Sequence, residues 1–298
     1  MATFNEMVEE VSLKLSGFTM RQDRVGVLKT TITATSTSVV VEGTDSASKG
    51  LVEIDDELFY VTSFAQATDT TLTVPLVNRG YYSTSAAAHE AGALVKFSPS
   101  FPRAEIKRAI NDTILAAFPR VYGMGSTTFS YSPAVNTYAL PSTVNNVVGV
   151  SYETIGASKE WAPIRNWRVD TYADPSTFGT SNTISLYSPV TPGSTVRVAF
   201  SCIPEVMENN FDDFSDTTGY ADSVRDVIVL GACYRLLSTV DAALTQYTSP
   251  ENQLQSSKLQ PGSATNAAKY FYALYQQRLN EESEKLQSFN PVRVHFTR

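Results

Sequence analysis

Two stretches of short strand patterns, residues 30–97 and 126–204, are separated by one helical stretch, and helical patterns flank them on either side. This order constrains the fold more than any other feature. Strands alternating one for one with helices build a parallel α/β sheet, whereas strands gathered in blocks pair antiparallel with their neighbours. The expected class is therefore α+β, a helical bundle that carries two β-rich modules and ends in an extended C-terminal arm.

The boundaries follow from local signals. Residues 1–29 hold the N-terminal helix of the helical core: Thr3-Phe-Asn-Glu6 fits a capping box, Phe4, Met7, Val8, Val11, Leu15 and Phe18 recur at helical spacing, and Gly17 stops the run. Residues 30–97 read as a small barrel or sandwich of strands TTITAT, SVVVEG, GLVEI, ELFYVTSF, TLTVPLV and ALVKF, with a tight hairpin at Ile54-Asp-Asp-Glu57. Residues 98–125 form a core helix near 102–118. Pro102 suits its first turn, Ile106, Ile110, Ile114 and Phe118 stack on one side, Pro119 ends it, and Gly123 and Gly125 read as a flexible joint. Residues 126–204 form a second, sandwich-like domain whose clearest strands are VVGVSYETI, TISLYS and STVRVAF.

Residues 205–287 are helical. In Tyr220–Gln246, Val224, Val227, Ile228 and Tyr234 mark one side and Leu230, Cys233, Leu237 and Leu244 another, the pattern of a helix buried on two faces. The next helix, Ala267–Gln287, carries Tyr270, Phe271 and Leu274 in an aromatic run. The side chains expected to pack these helices, inside the chain's own fold or against a neighbouring subunit, are Val224, Val227, Ile228, Tyr234, Leu237, Tyr270, Phe271 and Leu274. Within the arm, 288–298, Val292, Val294 and Phe296 alternate with Arg293, His295 and Thr297, the period of a half-buried strand. Such a strand needs a sheet to join, in its own chain or at the edge of another's.

Chemistry is hard to place on this chain. With 298 residues and a net charge of −7, it lacks the clustered cations that grip phosphate. The densest basic run, RAEIKR at 103–108, reads as a solvated helix face. His89 and His295 have no second ligand at metal spacing, the acids Glu208, Asp212, Asp213, Asp216 and Asp222 lack a calcium-loop pattern, and no GxSxG, Walker loop or GxGxxG occurs. Cys202 and Cys233 read as small buried hydrophobes. No apolar run is long enough to span a membrane and no leader pattern opens the sequence, so synthesis and folding in a cytosol are expected. The chain is read as a non-enzyme with no catalytic, metal or cofactor-binding residues. Trp161 and Trp167 are the candidates if the 126–204 module were instead a sugar-binding adhesin.

One stretch has a distinctive spacing. Ile54-Asp-Asp-Glu57-Leu58 and Leu72-Thr-Val74 lead to Arg79-Gly80, Thr84, His89 and Gly92. A neutral His89 could hydrogen-bond across the loop, and Arg79 could tie down loop carbonyls. This pattern resembles β modules of tailed-phage virion proteins, with Pro75 and extra residues before Arg79 as a departure. The order of parts, with YADSVRDVIVLGACYRLL and AAKYFYALYQQRLNEESEKL as a helical pair, resembles the head-to-tail adaptor (neck, or connector) family of tailed bacteriophages. Trp161–Trp167 and Pro192–Val198 add to that likeness. The resemblance implies a structural virion protein in the neck, assembled in the host bacterial cytoplasm. It implies a ring of twelve subunits that binds the portal and a downstream neck or tail protein and extends a DNA channel without gripping DNA. It also implies a portal-docking arm, with Phe289, Pro291, Val292, Val294, Phe296 and Arg298 as its candidates. A tail-tube or baseplate-associated component is the alternative.

Overall fold

A computed structural model describes residues 2–17, 23–43, 48–66, 71–75, 78–156, 160–244 and 263–290. The chain divides into two compact units: Asn5–Asp112 with Val229–Ala273, and Thr113–Ile228 with the first residues and those from Leu274 onward. The class is α+β, with six α-helices and three antiparallel sheets among the described residues.

In the first unit a single seven-stranded sheet runs β4-β3-β7-β1-β2-β6-β5. Its strands are β1 (Arg24–Leu28), β2 (Ser38–Glu42), β3 (Gly50–Ile54), β4 (Glu57–Val61), β5 (Ala65–Gln66), β6 (Thr71–Pro75) and β7 (Leu94–Phe97). Val41, Val52, Ile54, Phe59, Val74, Val95 and Phe97, from strands across its width, share one core. One face closes on one core only if the sheet curls, so the module is an open half-barrel with edges at β4 and β5. The hairpin lies where the sequence puts it: Ile54 pairs with Glu57 around Asp55-Asp56, and Asp55 takes the left-handed φ of 51°.

The first strand is a correction. TTITAT is not one; β1 begins at Arg24, ahead of the expected boundary at residue 30. Apart from a lone bridge of Ile32 to His89, the Thr-rich segment turns back on itself, the Ser36 N–H donating to Thr33 O at 3.1 Å and the Thr33 N–H to Ser36 Oγ at 3.0 Å. Threonines that bond their own turn compete with a ladder.

The second unit holds a sandwich. One sheet runs β11-β10-β14-β8 and the other β12-β13-β9. The strands are β8 (Gly123–Ser130), β9 (Thr137–Ala139), β10 (Val144–Glu153), β11 (Trp161–Ile164), β12 (Trp167–Asp170), β13 (Thr183–Leu186) and β14 (Thr195–Cys202). Val147, Val150 and Ile164 of the first sheet meet Ile184 and Leu186 of the second in one buried cluster with Val196, Val198 and Phe200. Gly123 and Gly125 are not a joint but the start of β8. A Cβ on Gly123 would collide with Gly219 O, and one on Gly125 would lie 2.7 Å from Cys202 Sγ, so close approach explains both glycines.

The helices are α1 (Phe4–Ser16), α2 (Arg103–Ala117), α3 (Pro175–Phe178), α4 (Phe214–Thr218), α5 (Arg225–Leu244) and α6 (Ser263–Phe289). Phe4, Met7, Val8, Val11 and Leu15 of α1 and Ile106, Ile110 and Ile114 of α2 are buried at the expected spacings. Pro102 sits just ahead of α2, its carbonyl accepting from the N–H of Ile106. On α5, Val227, Ile228, Val229, Ala232, Cys233, Leu236 and Leu237 are all buried, which no single stripe could achieve. The buried Cys233 thiol is pushed up to about 12 by desolvation, in keeping with an inert core residue.

Candidate functional site

Of the residues singled out in the 54–92 pattern, Arg79, Gly80 and His89 meet in the half-barrel around Glu57, a member of the quoted pattern given no role of its own there. Glu57, the first residue of β4, is 1% exposed. Its carboxylate accepts from Arg79 Nε at 3.0 Å and Nη2 at 2.7 Å, from the N–H groups of Gly80 (3.2 Å) and Ala87 (2.9 Å), and contacts His89 Nε2 at 3.0 Å. Burial alone would raise the Glu57 carboxyl, but the bonds from Arg79, Ala87 and His89 outweigh it and hold the group below the ordinary glutamate value. Arg79 also reaches two carbonyls, Thr33 O at 2.6 Å and Ala87 O at 2.5 Å, as its fork of donors permits.

His89 Nδ1 faces Asp55 Oδ2 at 2.7 Å while its Nε2 faces Glu57 Oε2 at 3.0 Å, so both ring nitrogens meet carboxylate oxygens. Gly92, with φ of 93°, donates to Leu28 O at 2.8 Å and so ties the far end of the loop to β1.

The clamp covers a sheet edge. β4 ends the seven-stranded sheet, and its outward N–H groups would be free to pair with another chain. Instead the N–H of Tyr60 donates to Asn78 O at 3.2 Å and that of Leu58 to Thr84 Oγ1 at 3.1 Å. The loop makes this turn through left-handed backbone at Gly80 (φ 66°), Tyr82 (φ 54°) and Ser83 (φ 64°). Only Gly80 takes such angles without cost, and a Cβ there would stand 2.7 Å from Thr84 O. Tyr60, Tyr81 and Tyr82 form an exposed aromatic row, with ring centroids 5.4 and 4.7 Å apart.

The basic run on α2 is not a free solvated face. Arg103 and Lys107 both pair with Asp56 at 3.0 Å, and Arg103 also bonds Asn5 Oδ1, so these cations anchor the β3–β4 turn. Nearby, Glu53 is buried against Lys96 Nζ at 3.2 Å and the N–H of Arg103 at 2.6 Å; desolvation still holds its carboxyl above the ordinary value.

Of the expected packing residues, Val224, Val227, Ile228, Leu237 and Phe271 are buried, and Tyr234 and Leu274 are half-buried. Tyr270 is 62% exposed, because the buried stripe of α6 runs Ala268, Phe271, Tyr275, Leu279, Glu282. Tyr234 meets Tyr272 edge to face at 5.3 Å. In the second unit, Arg278 of α6 bonds Asp226 of α5 at 2.7 Å together with Glu282 at 3.1 Å and Glu281. Among the acids at 208–222, Asp213 accepts from the N–H groups of Ser215 and Asp216 and so caps α4. Phe289 belongs to the last turn of α6, 81% exposed, so the helix runs past the expected start of the arm. Pro291, Val292, Val294, Phe296 and Arg298 lie outside the described residues.

The two tryptophans do not form a paired exposed platform. Trp167 packs against the sandwich core, and the Arg197 guanidinium covers the Trp161 ring at 4.3 Å. Among the described residues no group of three or more His, Cys, Asp or Glu could hold a metal ion, and no helix is long and apolar enough to cross a membrane.

A family model described as SU10 adaptor protein matches residues 83–295, well over half of the chain. The chain belongs to the SU10 adaptor protein family. This is a family of phage head-tail adaptors, structural rather than enzymatic. The match takes in α2, the whole sandwich and α4 to α6, while β1–β6 precede it. It begins inside the clamped loop: Thr84, His89 and Gly92 fall within it, Glu57, Arg79 and Gly80 ahead of it. No curated protein matches the chain. As an SU10-family adaptor it is a structural component that connects other virion proteins.

Proposed function

We propose that this SU10-family adaptor assembles as a homo-oligomeric ring of twelve subunits in the neck of the virion, between the portal and a downstream neck or tail protein. The ring extends the channel through which genomic DNA passes without specific binding. The observation that carries this reading is the family match, which spans the helices and the sandwich together. The net charge of −7 supports the last part, since a wall that lacks clustered cations lets phosphate slide past. Exposed apolar side chains on α6, Tyr270, Tyr272 and Phe289, supply surface of the kind enriched where subunits meet.

The test is electron microscopy of the purified chain with and without isolated portal rings. Twelvefold density at the portal base is the expected result. A chain that ignores the portal and instead co-assembles with isolated tails is a tail component, and the adaptor reading then falls.

A further inference from the structure

Two surfaces of this chain each lack what the other supplies. The first is the turn that precedes α4, where Phe211 stands 90% exposed. The backbone on either side of that ring is fixed. The Asp212 carboxylate accepts from the N–H groups of Glu208 and Asn209, both at 2.8 Å, and the Asp212 N–H donates to Asn209 O at 3.0 Å. Just beyond, Asp212 O accepts from the Phe4 N–H at 3.0 Å, and the Phe214 N–H donates to Ala2 O at 2.9 Å. A bonded turn therefore presents the ring, and little order remains to be lost when a partner covers it. The charge around it has one sign. No Lys or Arg occurs between Arg197 and Arg225, while Glu205, Glu208 and Asp216 are exposed.

The second surface lies on α5 and α6. Tyr272, 48% exposed, meets Tyr234 edge to face at 5.3 Å, and the Arg235 guanidinium lies 5.7 Å from the Tyr234 ring. Arg235 is half-buried, yet among the described residues it meets no carboxylate. Its Nη2 makes one long bond, 3.4 Å to Asp112 O, and its buried Nε has no partner. A half-desolvated guanidinium without an anion is destabilising until one arrives. Lys269, one turn before Tyr272 on the same face of α6, is exposed and has no ion pair among the described residues. Arg235 is the only charged residue in 227–239, and Lys269 the only one in 263–277.

We propose that Phe211 and its acidic turn dock on the Tyr234–Tyr272 face of a second copy of the chain. Phe211 packs there against the exposed Tyr272 ring, and Glu208 and Asp216 bring carboxylates to a face whose Arg235 and Lys269 have none. Charge selects this occupant. On a chain of net charge −7 an acidic knob is repelled by most of another copy's surface, and a cationic face free of acids attracts it. Knob and face are different surfaces, so the contact is head-to-tail, the kind that closes as a ring. The proposal deepens the ring reading and rests on it for the presence of neighbouring copies.

The test compares the full chain with two variants of it, Phe211→Ser and the pair Lys269→Glu with Tyr272→Ser. All three positions are exposed, and amide exchange across α5, α6 and β14 checks that the fold is kept. If the paired variant loses α6, Lys269→Glu alone takes its place. Self-association is read by native mass spectrometry across concentration, in low and high salt. The parent is expected to associate, and less so in high salt. Phe211→Ser should weaken association by about thirtyfold, the loss typical of an aromatic anchor, and the paired variant by about tenfold or more. Mixing the two should yield 1:1 dimers that grow no further, since one intact knob and one intact face remain. The proposal is overturned by a parent that stays monomeric, by association that neither variant changes, or by the absence of mixed dimers. Phe211→Ser that still self-associates but no longer binds isolated portal rings also overturns it, because the knob then serves the portal. Rings of twelve formed equally by both variants leave the ring reading standing without this contact. A parent that assembles through the contact yet ignores the portal leaves the contact standing and sinks the adaptor reading.

Discussion

Replacing Glu57 with Gln is the most direct perturbation of the half-barrel. The substitution keeps the shape and turns one acceptor oxygen into an NH2 that must face donors already in place. Glu57 accepts from Arg79 twice, from the N–H groups of Gly80 and Ala87, and meets His89 Nε2. A charge-assisted bond contributes about 1.5–3 kcal/mol, but leaving a buried cation without its carboxylate dominates, at about 3–5 kcal/mol. That larger figure applies because the Arg79 side chain is only 10% exposed. The chain holds two compact units, so a single melting curve is a poor readout. Amide exchange resolved to the β3–β4 hairpin isolates the effect. The expected outcome is that the Leu58 and Tyr60 amides, now covered by the 78–84 loop, lose most of their protection, while β10 and β14 amides stay unchanged. A loss below about 1 kcal/mol at the hairpin would refute the view that Glu57 organises the loop, and Arg79 would then be its true anchor.

Other substitutions follow from the same geometry. Thr84→Val removes the acceptor for the Leu58 N–H and should cost about 1 kcal/mol, read from the exchange of that one amide. Gly123→Ala drives a methyl into Gly219 O and should destabilise the sandwich by about 1–3 kcal/mol, visible as faster exchange in β8 and β14. Arg278→Met breaks a network that is only partly buried, so the cost should stay near 1 kcal/mol and shrink further in high salt. On acidification, the Glu57 carboxyl is held below its ordinary value, so its contribution is complete above that value and fades as pH falls through the folded one. Hairpin protection should therefore drop below the ordinary carboxylate range in the parent and much less in Glu57→Gln, where Asp55, Arg79 and His89 remain. Glu53, raised by burial, has the opposite sign: its contribution declines as pH rises from the ordinary value through the folded one, and Glu53→Gln should flatten that limb.

What could be read in advance was whatever depends on neighbours in sequence. The hairpin at Asp55-Asp56, the strands β10, β13 and β14, the stripe Ile106, Ile110, Ile114 and the caps near Asp213 all follow from local period and turn chemistry. The misses share a different cause. Gly123 and Gly125 read as a joint because what makes them necessary, Gly219 and Cys202, lies some eighty to a hundred residues away in the chain. The basic run on α2 looked solvated because Asp56 is on another element. β1 at Arg24 was hidden behind a threonine run that looked more like a strand than RVGVL does.

Glu57 is the instructive case. It stands in the pattern that resembles a phage β module, beside a histidine and an arginine that are the more obvious functional residue types. A glutamate opening a strand between Asp56 and Leu58 gives no sign of burial, and only the arrival of Arg79, Gly80, Ala87 and His89 from farther along makes its charge tolerable there. The motif is thus a carboxylate with its ligands, written in two pieces, and its work is to close one sheet edge. In refusing a foreign strand the half-barrel invests a buried ion cluster and the left-handed backbone of Gly80, Tyr82 and Ser83.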